Sequence, residues 1–516
     1  MPLSPGPSDE AWQNPPRRWL RVSLLVAGAG AAGFLAFLAF VLPERLDCGG
    51  WGSGLTREGG ECVGVTDGSY AFAPLDGAGP AAEFADVQKL IKAENDRVAA
   101  ADTEYVKVGL LATLTPAENG PLAPQRVLHA LQGAYTAQMR ANHTADMGDK
   151  QPLVQLHLAN AGSRHETWEP AVERLVAMAG DESPLVAVVG LSISTEASQA
   201  AAEELAAHEI PIVASSASAD GLNMRMRDGM IRVTGSNTDF VNALERHVRA
   251  AGGDLSRAML VSDRNDPDLH VATLTDAFAR LLEQEDDVMP RKSFSGTTLR
   301  SSGPVSLFRP ITDSICGTGA EMVLFSGRTG DLHAFLEALH VRDCRAQQPL
   351  SVLFVETGPV EDVSAAARPD RLEENGITIV QASAMDPQWF GEEDAGSPAP
   401  NGFEHFHLAF AEHVGHRTEA QVKAALRDGY AVANHDAMYA AVRAIRTGHG
   451  ERQERGEPTT PAGVREALFR LENVQAASGT LSFPEERGGD PGGKPLPVIE
   501  LPAGGAGGET YVTPVR

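Results

Sequence analysis

The sequence predicts an α/β protein: two strand–helix units in series, each around a parallel sheet, behind a single N-terminal transmembrane helix. Three observations carry the prediction. From residue 105 onward, short β-branched runs alternate with amphipathic stretches, and that alternation requires right-handed crossovers and parallel sheets. The rhythm restarts after Ile231-Arg232-Val233, which makes two units. Residues 22–42 contain no charged side chain and follow Arg17, Arg18 and Arg21.

The uncharged run, at about 1.5 Å per residue, makes a helix of roughly 30 Å, the thickness of bilayer hydrocarbon. The arginines assign residues 1–18 to a cytoplasmic tail and 19–42 to the anchor. The bulk of the chain then lies outside a cell membrane that it crosses once. The run is longer than the core of a cleaved signal peptide, and no small-x-small site follows it. Arg45-Leu46-Asp47 before Cys48 is no lipobox. Gly28-Ala29-Gly30-Ala31-Ala32-Gly33 matches the dinucleotide-binding pattern. The residues after it have no polar face and lead to no second strand, so close packing of a membrane helix accounts for the glycines and no cofactor is expected.

Residues 43–103 are expected as an extracytoplasmic stalk, Gly- and Pro-rich over 48–80 with a helix over 84–100. Strands are predicted at 105–111, 153–158, 185–189 and 210–213, with helices at 126–142, 168–179 and 196–207 between them. In the second unit, helices at 240–251 and 273–284 accompany strands at 257–261, 322–325, 352–355 and 377–380. Residues 403–446 read as helical and 479–501 as short extended pieces.

Composition narrows the function. The 516 residues, 42% hydrophobic and 22% charged, are ordinary for globular domains. A net charge of −26 with no run of Lys and Arg argues against nucleic acid. Cys48, Cys62, Cys316 and Cys344 lack zinc-ligand spacing, and in an exported chain they read as two local disulfides, Cys48–Cys62 and Cys316–Cys344.

Catalytic patterns are sparse. Gly190-Leu191-Ser192-Ile193-Ser194 approaches a nucleophile elbow, but a serine replaces the second glycine. His405, Glu412 and His416 are too widely spaced for a tight metal pair and read as a solvated helix face. Asp263, Asp266 and Asp268 lack the glycine and distal glutamate of a calcium loop. Asn142-His143-Thr144 fits a glycosylation sequon. No catalysis and no metal are expected. Two strand ends stand out, G-L-S-I-S-T after 185–189 and A-S-S-A-S after 210–213. Such hydroxyls are either helix caps or donors to an anionic ligand outside the carboxyl ends of parallel strands. The residues alone leave both open.

From about residue 104 the order of motifs resembles the periplasmic-binding-protein type 1 family, in its branched-chain amino acid binding branch. The pieces are Y-V-K-V-G-L-L, V-A-V-V-G-L-S-I-S-T-E-A-S, I-P-I-V-A-S-S-A-S-A-D-G-L and I-R-V-T-G-S-N-T-D-F. R-A-M-L-V-S-D-R-N-D, A-E-M-V-L-F-S-G-R-T-G-D, G-Y-A-V-A-N-H-D-A-M-Y-A-A-V and A-S-G-T-L-S-F-P follow in order.

The resemblance implies two Rossmann-like lobes joined by three crossings, near Val233, Ile379 and Phe483, that close on a ligand. Lobe 1 would be 104–234 with 380–484, and lobe 2 would be 235–379 with 485–516. It implies a solute-binding protein that hands a small polar, amino-acid-like ligand to an ABC permease. The same fold also serves as a surface-tethered sensing or interaction module. Carried over by motif, Ser194 and Thr195 fall where the family's first hydroxyl grips a carboxylate, and Ser192 beside them is expected to bind ligand. Ser216, Ala217 and Ser218 form the second, and Glu356 falls near the acid that meets an ammonium. Asp266 and Arg328 stand where the family has ligand-facing Tyr-Gly and aromatic residues, which implies a more polar ligand or one that is not an amino acid.

Overall fold

The computed structural model describes residues 48–50, 52–77, 79–118, 120–222, 229–264, 268–286, 288–296, 305–360, 365–390, 399–415, 418–502 and 510–515. The chain divides into a unit Met1–Ser53 and a unit Gly54–Arg516. In the first, the described residues hold a turn closed by Ser53 N–H and Gly50 O at 3.4 Å. The expected transmembrane helix lies outside the described residues, among which no helix is long and apolar enough to cross a membrane.

In the second unit, lobe 1 is a 7-stranded sheet of order β1-β2-β4-β3-β5-β6-β7. Its strands are β1 (Leu55–Glu58), β2 (Glu61–Thr66), β3 (Tyr105–Ala112), β4 (Leu153–Asn160), β5 (Leu185–Gly190), β6 (Ile212–Ala214) and β7 (Met230–Arg232). Strands β3 to β7 pair in parallel, and β1 and β2 are antiparallel additions at one edge. All six residues of β5, LVAVVG, are buried, as a strand covered on both faces requires.

This corrects the expected stalk. Residues 55–66 complete the sheet of lobe 1, and helix α1 (Ala81–Ala99) buries Phe84, Val87, Ile91 and Val98. Asn95 on that helix donates to Leu156 O of β4 at 2.7 Å, which ties the segment into the body. The Gly-rich turns that suggested a linker are the tight connections of short edge strands.

Helices α2 (Pro124–His143), α3 (Glu169–Met178) and α4 (Glu196–Ala207) follow β3, β4 and β5. Lobe 2 repeats the plan in a 6-stranded sheet of order β16-β12-β11-β10-β8-β9. Here β8 (Ala258–Asp263), β9 (Lys292–Phe294), β10 (Met322–Ser326), β11 (Leu350–Glu356) and β12 (Ile377–Ser383) are parallel, and β16 (Val498–Leu501) pairs antiparallel at the edge. Helices α5 (Asn237–Ala250), α6 (Leu269–Leu282), α7 (Arg309–Thr318), α8 (Thr329–His340) and α9 (Pro369–Glu374) cover it. Phe294, Phe308, Phe325, Phe335 and Phe354 form an aromatic stack on one face.

The chain passes between lobes at 233–236, 383–386 and 482–494. The second crossing was expected near Ile379. It comes later because β12 pairs with β11 as far as Ser383. The helical stretch 403–446 is three helices, α10 (Phe403–Val414), α11 (Glu419–Leu426) and α12 (Tyr430–Gln453). Gly415 and Gly429, at φ 78° and 77°, break it in the left-handed region that suits glycine. Helix α13 (Pro461–Leu468), the hairpin β13 (Val474–Ala476) with β14 (Gly479–Leu481), and the pair β15 (Pro495–Leu496) with β17 (Tyr511–Val512) complete the fold. Where α2 crosses α12, a Cβ on Gly133 would stand 2.0 Å from Ala431 O, so the helices meet backbone to backbone. At the crossings, Arg232 pairs with Asp490 and Arg487 with Asp239, both at 2.7 Å, which fastens the first crossing to the third.

Candidate functional site

The parallel core of lobe 1 runs β4-β3-β5-β6-β7. Strand order therefore reverses between β4 and β5 across β3, a switch point that opens a crevice at the carboxyl ends. Both serine turns leave from there. After β5 the chain bends through Leu191, fully buried at φ 52°, a conformation β-carbon sterics disfavour. Ser192 Oγ lies 3.1 Å from Ser215 Oγ, Ser216 Oγ donates to Ser192 O at 3.2 Å, and Ser194 Oγ accepts from Ala219 N–H at 3.2 Å. The two turns are thus laced to each other. Thr195 is the N-cap of α4 and accepts from Ser198 N–H at 3.1 Å. Ala217 is fully buried, and its carbonyl receives Arg232 Nη1 at 3.0 Å.

Lobe 2 presents charge to these turns. Asp268 caps α6 and holds Arg328 through two bonds, Nε to Oδ2 at 2.8 Å and Nη2 to Oδ1 at 2.7 Å. Arg328 Nη2 also reaches Ser194 O at 3.5 Å, and His270 N–H donates to the same carbonyl at 3.2 Å. Ser218 Oγ meets His270 Nδ1 at 2.7 Å. Burial, and then the nearby Arg328 charge, pull His270 down to about 4, so the ring is neutral at pH 7.

Glu356 ends β11 and lines the same crevice. Its Oε2 receives Arg126 Nη1 at 3.0 Å and the Thr329 hydroxyl, and its Oε1 accepts Thr357 N–H at 2.8 Å and Tyr430 OH at 3.4 Å. Burial pushes the carboxyl up, but the Arg126 charge and these donors outweigh it and bring Glu356 down to about 2. Arg126 lies 5.2 Å over the Tyr430 ring. Among the described residues its Nε and Nη2, both buried, have no hydrogen-bond partner, and neither has Thr234 Oγ1.

These groups line one crevice between the lobes, where a cavity of about 40 Å³ remains. A water needs about 10–15 Å³ on that measure, so there is room for a few waters and nothing larger. Six residues singled out from the sequence border it: Ser192, Ser194, Ser216, Ser218, Arg328 and Glu356. Thr195 and Ala217 do not, since one caps a helix and the other packs in the core. Asp266 lies outside the described residues. Arg126, His270, Thr234 and Tyr430 also line the crevice and were not foreseen. Tyr430 had a signal, since it sits in the quoted G-Y-A-V-A-N-H-D motif. Arg126 had none, being a single arginine at the start of a helix.

The other candidates resolve locally. His405 and Glu412 are exposed on α10, and His416 lies outside the described residues. No group of three or more His, Cys, Asp or Glu capable of holding a metal occurs among the described residues. Cys316 and Cys344 form a disulfide, and Cys48 and Cys62 are each disulfide-bonded.

No protein-family model matches the chain, and no curated protein matches its sequence. Solved structures do match its shape. The leucine-binding protein LivK of Thermotoga maritima aligns with a TM-score of 0.53 at 14% identity, covering 79% of this chain and 99% of that one. LivJ of Streptococcus pneumoniae, a branched-chain amino acid transporter substrate-binding protein in complex with isoleucine, gives 0.52 at 14% over 80% and 99%. A solute-binding protein of an ABC transporter from Rhodopseudomonas palustris, in complex with p-hydroxybenzoic acid, gives 0.52 at 17% over 80% and 98%. The two parallel-sheet lobes, the crossings between them and these alignments together identify the fold of this chain as that of the type 1 periplasmic binding proteins.

Proposed function

We propose that the chain is a solute-binding receptor whose lobes close on a small ligand bearing a carboxylate. The observation that carries this is Arg126, buried in the interlobe crevice with Nε and Nη2 unpartnered beside two serine turns. Two unsatisfied guanidinium N–H groups out of water cost free energy that an anionic ligand recovers. The bound molecules named for similar structures, leucine, isoleucine and p-hydroxybenzoic acid, share a carboxylate, which supports the reading. Glu356 is already neutralised by Arg126. An acid without an ammonium therefore suits this crevice better than an amino acid.

Ligand entry requires the lobes to part, because about 40 Å³ does not admit such a molecule. Contacts from both lobes exist only in the closed form, so ligand shifts the open–closed balance toward closure. On this reading the protein binds and releases its ligand unchanged. We place it extracytoplasmic, tethered by residues 19–42, delivering its ligand to an ABC permease. Full-length protein then stays with membranes through a carbonate wash, and recovery of soluble protein trimmed within 27–47 would contradict the tether.

A second reading, an interaction module without a transported solute, is favoured by one observation. The crevice closes on itself through Arg126–Glu356 and Ser218–His270. A thermal-shift panel on the full-length chain separates the two, using leucine, aspartate, p-hydroxybenzoate and succinate. A ligand at a hundred times its Kd adds about 2.7 kcal/mol. A shift with one of these acids, lost in Arg126→Gln, supports the receptor. A flat panel with an intact fold supports the module.

A further inference from the structure

A second pocket, of about 520 Å³, lies on lobe 1 against the loop 147–151 and the last turns of α12. Among the residues lining it are Lys150, Arg443, Arg446 and His449. In a chain of net charge −26, the gathering of Lys150, Arg443 and Arg446 in one pocket is unexpected. Cations near a helix C-terminus are ordinary, since they complement the helix dipole. Arg446 is not ordinary. It is 7% exposed, and among the described residues its head donates to backbone carbonyls alone, Ala141 O at 2.6 Å and Gly148 O at 3.5 Å. Its Nε and the Nε of Arg443 are buried and have no hydrogen-bond partner among the described residues. Burial pulls Arg446 down to about 10, against the pull of Asp149, and Arg443 adds to the lowering.

Buried charges are normally paired, because an uncompensated one is costly. The acid in the pocket, Asp149, is exposed, and among the described residues it forms no hydrogen bond or ion pair with either guanidinium, although its charge acts on Arg446. Gly148, at φ 102°, brings the loop close to both side chains: a Cβ there would stand 3.8 Å from Arg443 Nη1 and from Arg446 Cδ. Lys150, Arg443 and Arg446 set three cationic heads against Asp149, which leaves about two positive charges facing a hydrophilic pocket, while His449 Nδ1 already lies 3.7 Å from Glu104. A carboxylate would offset half of that; a phosphate dianion matches it, and guanidinium forks fit phosphate oxygens. We propose that this pocket is a second ligand site, separate from the interlobe crevice, for the phosphate group of a small phosphate ester or of a lipid headgroup.

Two arms test it on the full-length chain at constant ionic strength. Calorimetric titration with glycerol 3-phosphate, against sodium chloride as control, should show saturable binding at one site if the source is a soluble ester. Flotation with phosphatidylglycerol vesicles should exceed flotation with phosphatidylcholine vesicles if the source is a headgroup. The excess is informative because a chain of −26 is repelled by an anionic surface. Arg443→Gln should weaken whichever binding occurs by ten-fold or more, and Lys150→Gln on the exposed loop by a few-fold. If Arg443→Gln disturbs folding, Lys150→Gln alone carries the test. No binding in either arm overturns the proposal, and so does binding that neither substitution changes.

Discussion

Arg126, on the first turn of a lobe 1 helix, reaches Glu356, at the end of a lobe 2 strand, at 3.0 Å across the crevice. The side chains are 5% and 12% exposed, so the pair is nearly dry. On the proposed receptor reading it is the contact on which closure and ligand choice both turn, since the same arginine carries the unpartnered donors.

Breaking that pair from one side leaves a buried charge alone. Glu356→Gln and Arg126→Gln should each destabilise the protein by about 3–5 kcal/mol if the lobes stay closed. Parting of the lobes lets water solvate the remaining charge and reduces the loss. The radius of gyration should then rise in small-angle scattering. Replacing both with methionine should cost less than either single change. Urea unfolding of the three variants checks this, and additive losses would mean that the two side chains do not interact.

The serine turns and their neighbouring cap should separate cleanly. Thr195→Ala removes the N-cap of α4 and should cost about 1 kcal/mol of stability with little effect on a crevice ligand. Ser218→Ala removes a link between the lobes, the 2.7 Å contact with His270. It should weaken a carboxylate ligand by about ten-fold, the worth of roughly 1.4 kcal/mol. Equal effects of the two changes on affinity would assign both to folding alone.

Acid should weaken the fold in two steps. Burial holds His165, His270 and His435 near 4, below the ordinary histidine value of 6.5. The unfolded chain takes up those protons first. Their contribution is therefore complete above pH 6.5 and is lost as pH falls toward 4. Each contributes at most about 1.4 kcal/mol per pH unit in that window. Glu356, brought down from 4.5 to about 2, follows between those values. Tm measured from pH 7.5 to 3.5 should fall below 6.5, and His165→Asn should flatten the first step. A constant Tm between pH 6.5 and 4.5 would refute the assignment.

The Cys316–Cys344 disulfide joins α7 to the turn after α8 with a sequence separation of 28. A loop of that length contributes about 3–4 kcal/mol by restricting the unfolded chain. Cys316→Ser with Cys344→Ser should lower stability by that amount. Native protein should resist alkylation until reduced, with all four cysteines blocked. Four reactive thiols in freshly purified protein would contradict the linkage.

The sequence by itself determined what depends on neighbours in the chain. Alternating strands and helices, the restart after Val233 and the hydroxyl-rich strand ends are local patterns, and the two sheets and the serine turns follow them. Segments with weak local signals went astray. The strands Leu55–Glu58 and Glu61–Thr66 are 4 and 6 residues long between glycine turns. They are strands because an existing sheet edge supplies their partners. Long-range pairing decided the rest. Arg126 and Glu356 are 230 residues apart, and His270 meets Ser218 across 52. Only the folded arrangement could decide that the acid expected to receive a ligand's cation receives Arg126 instead. Burial made that choice, because a dry carboxylate takes whichever cation the fold holds within reach.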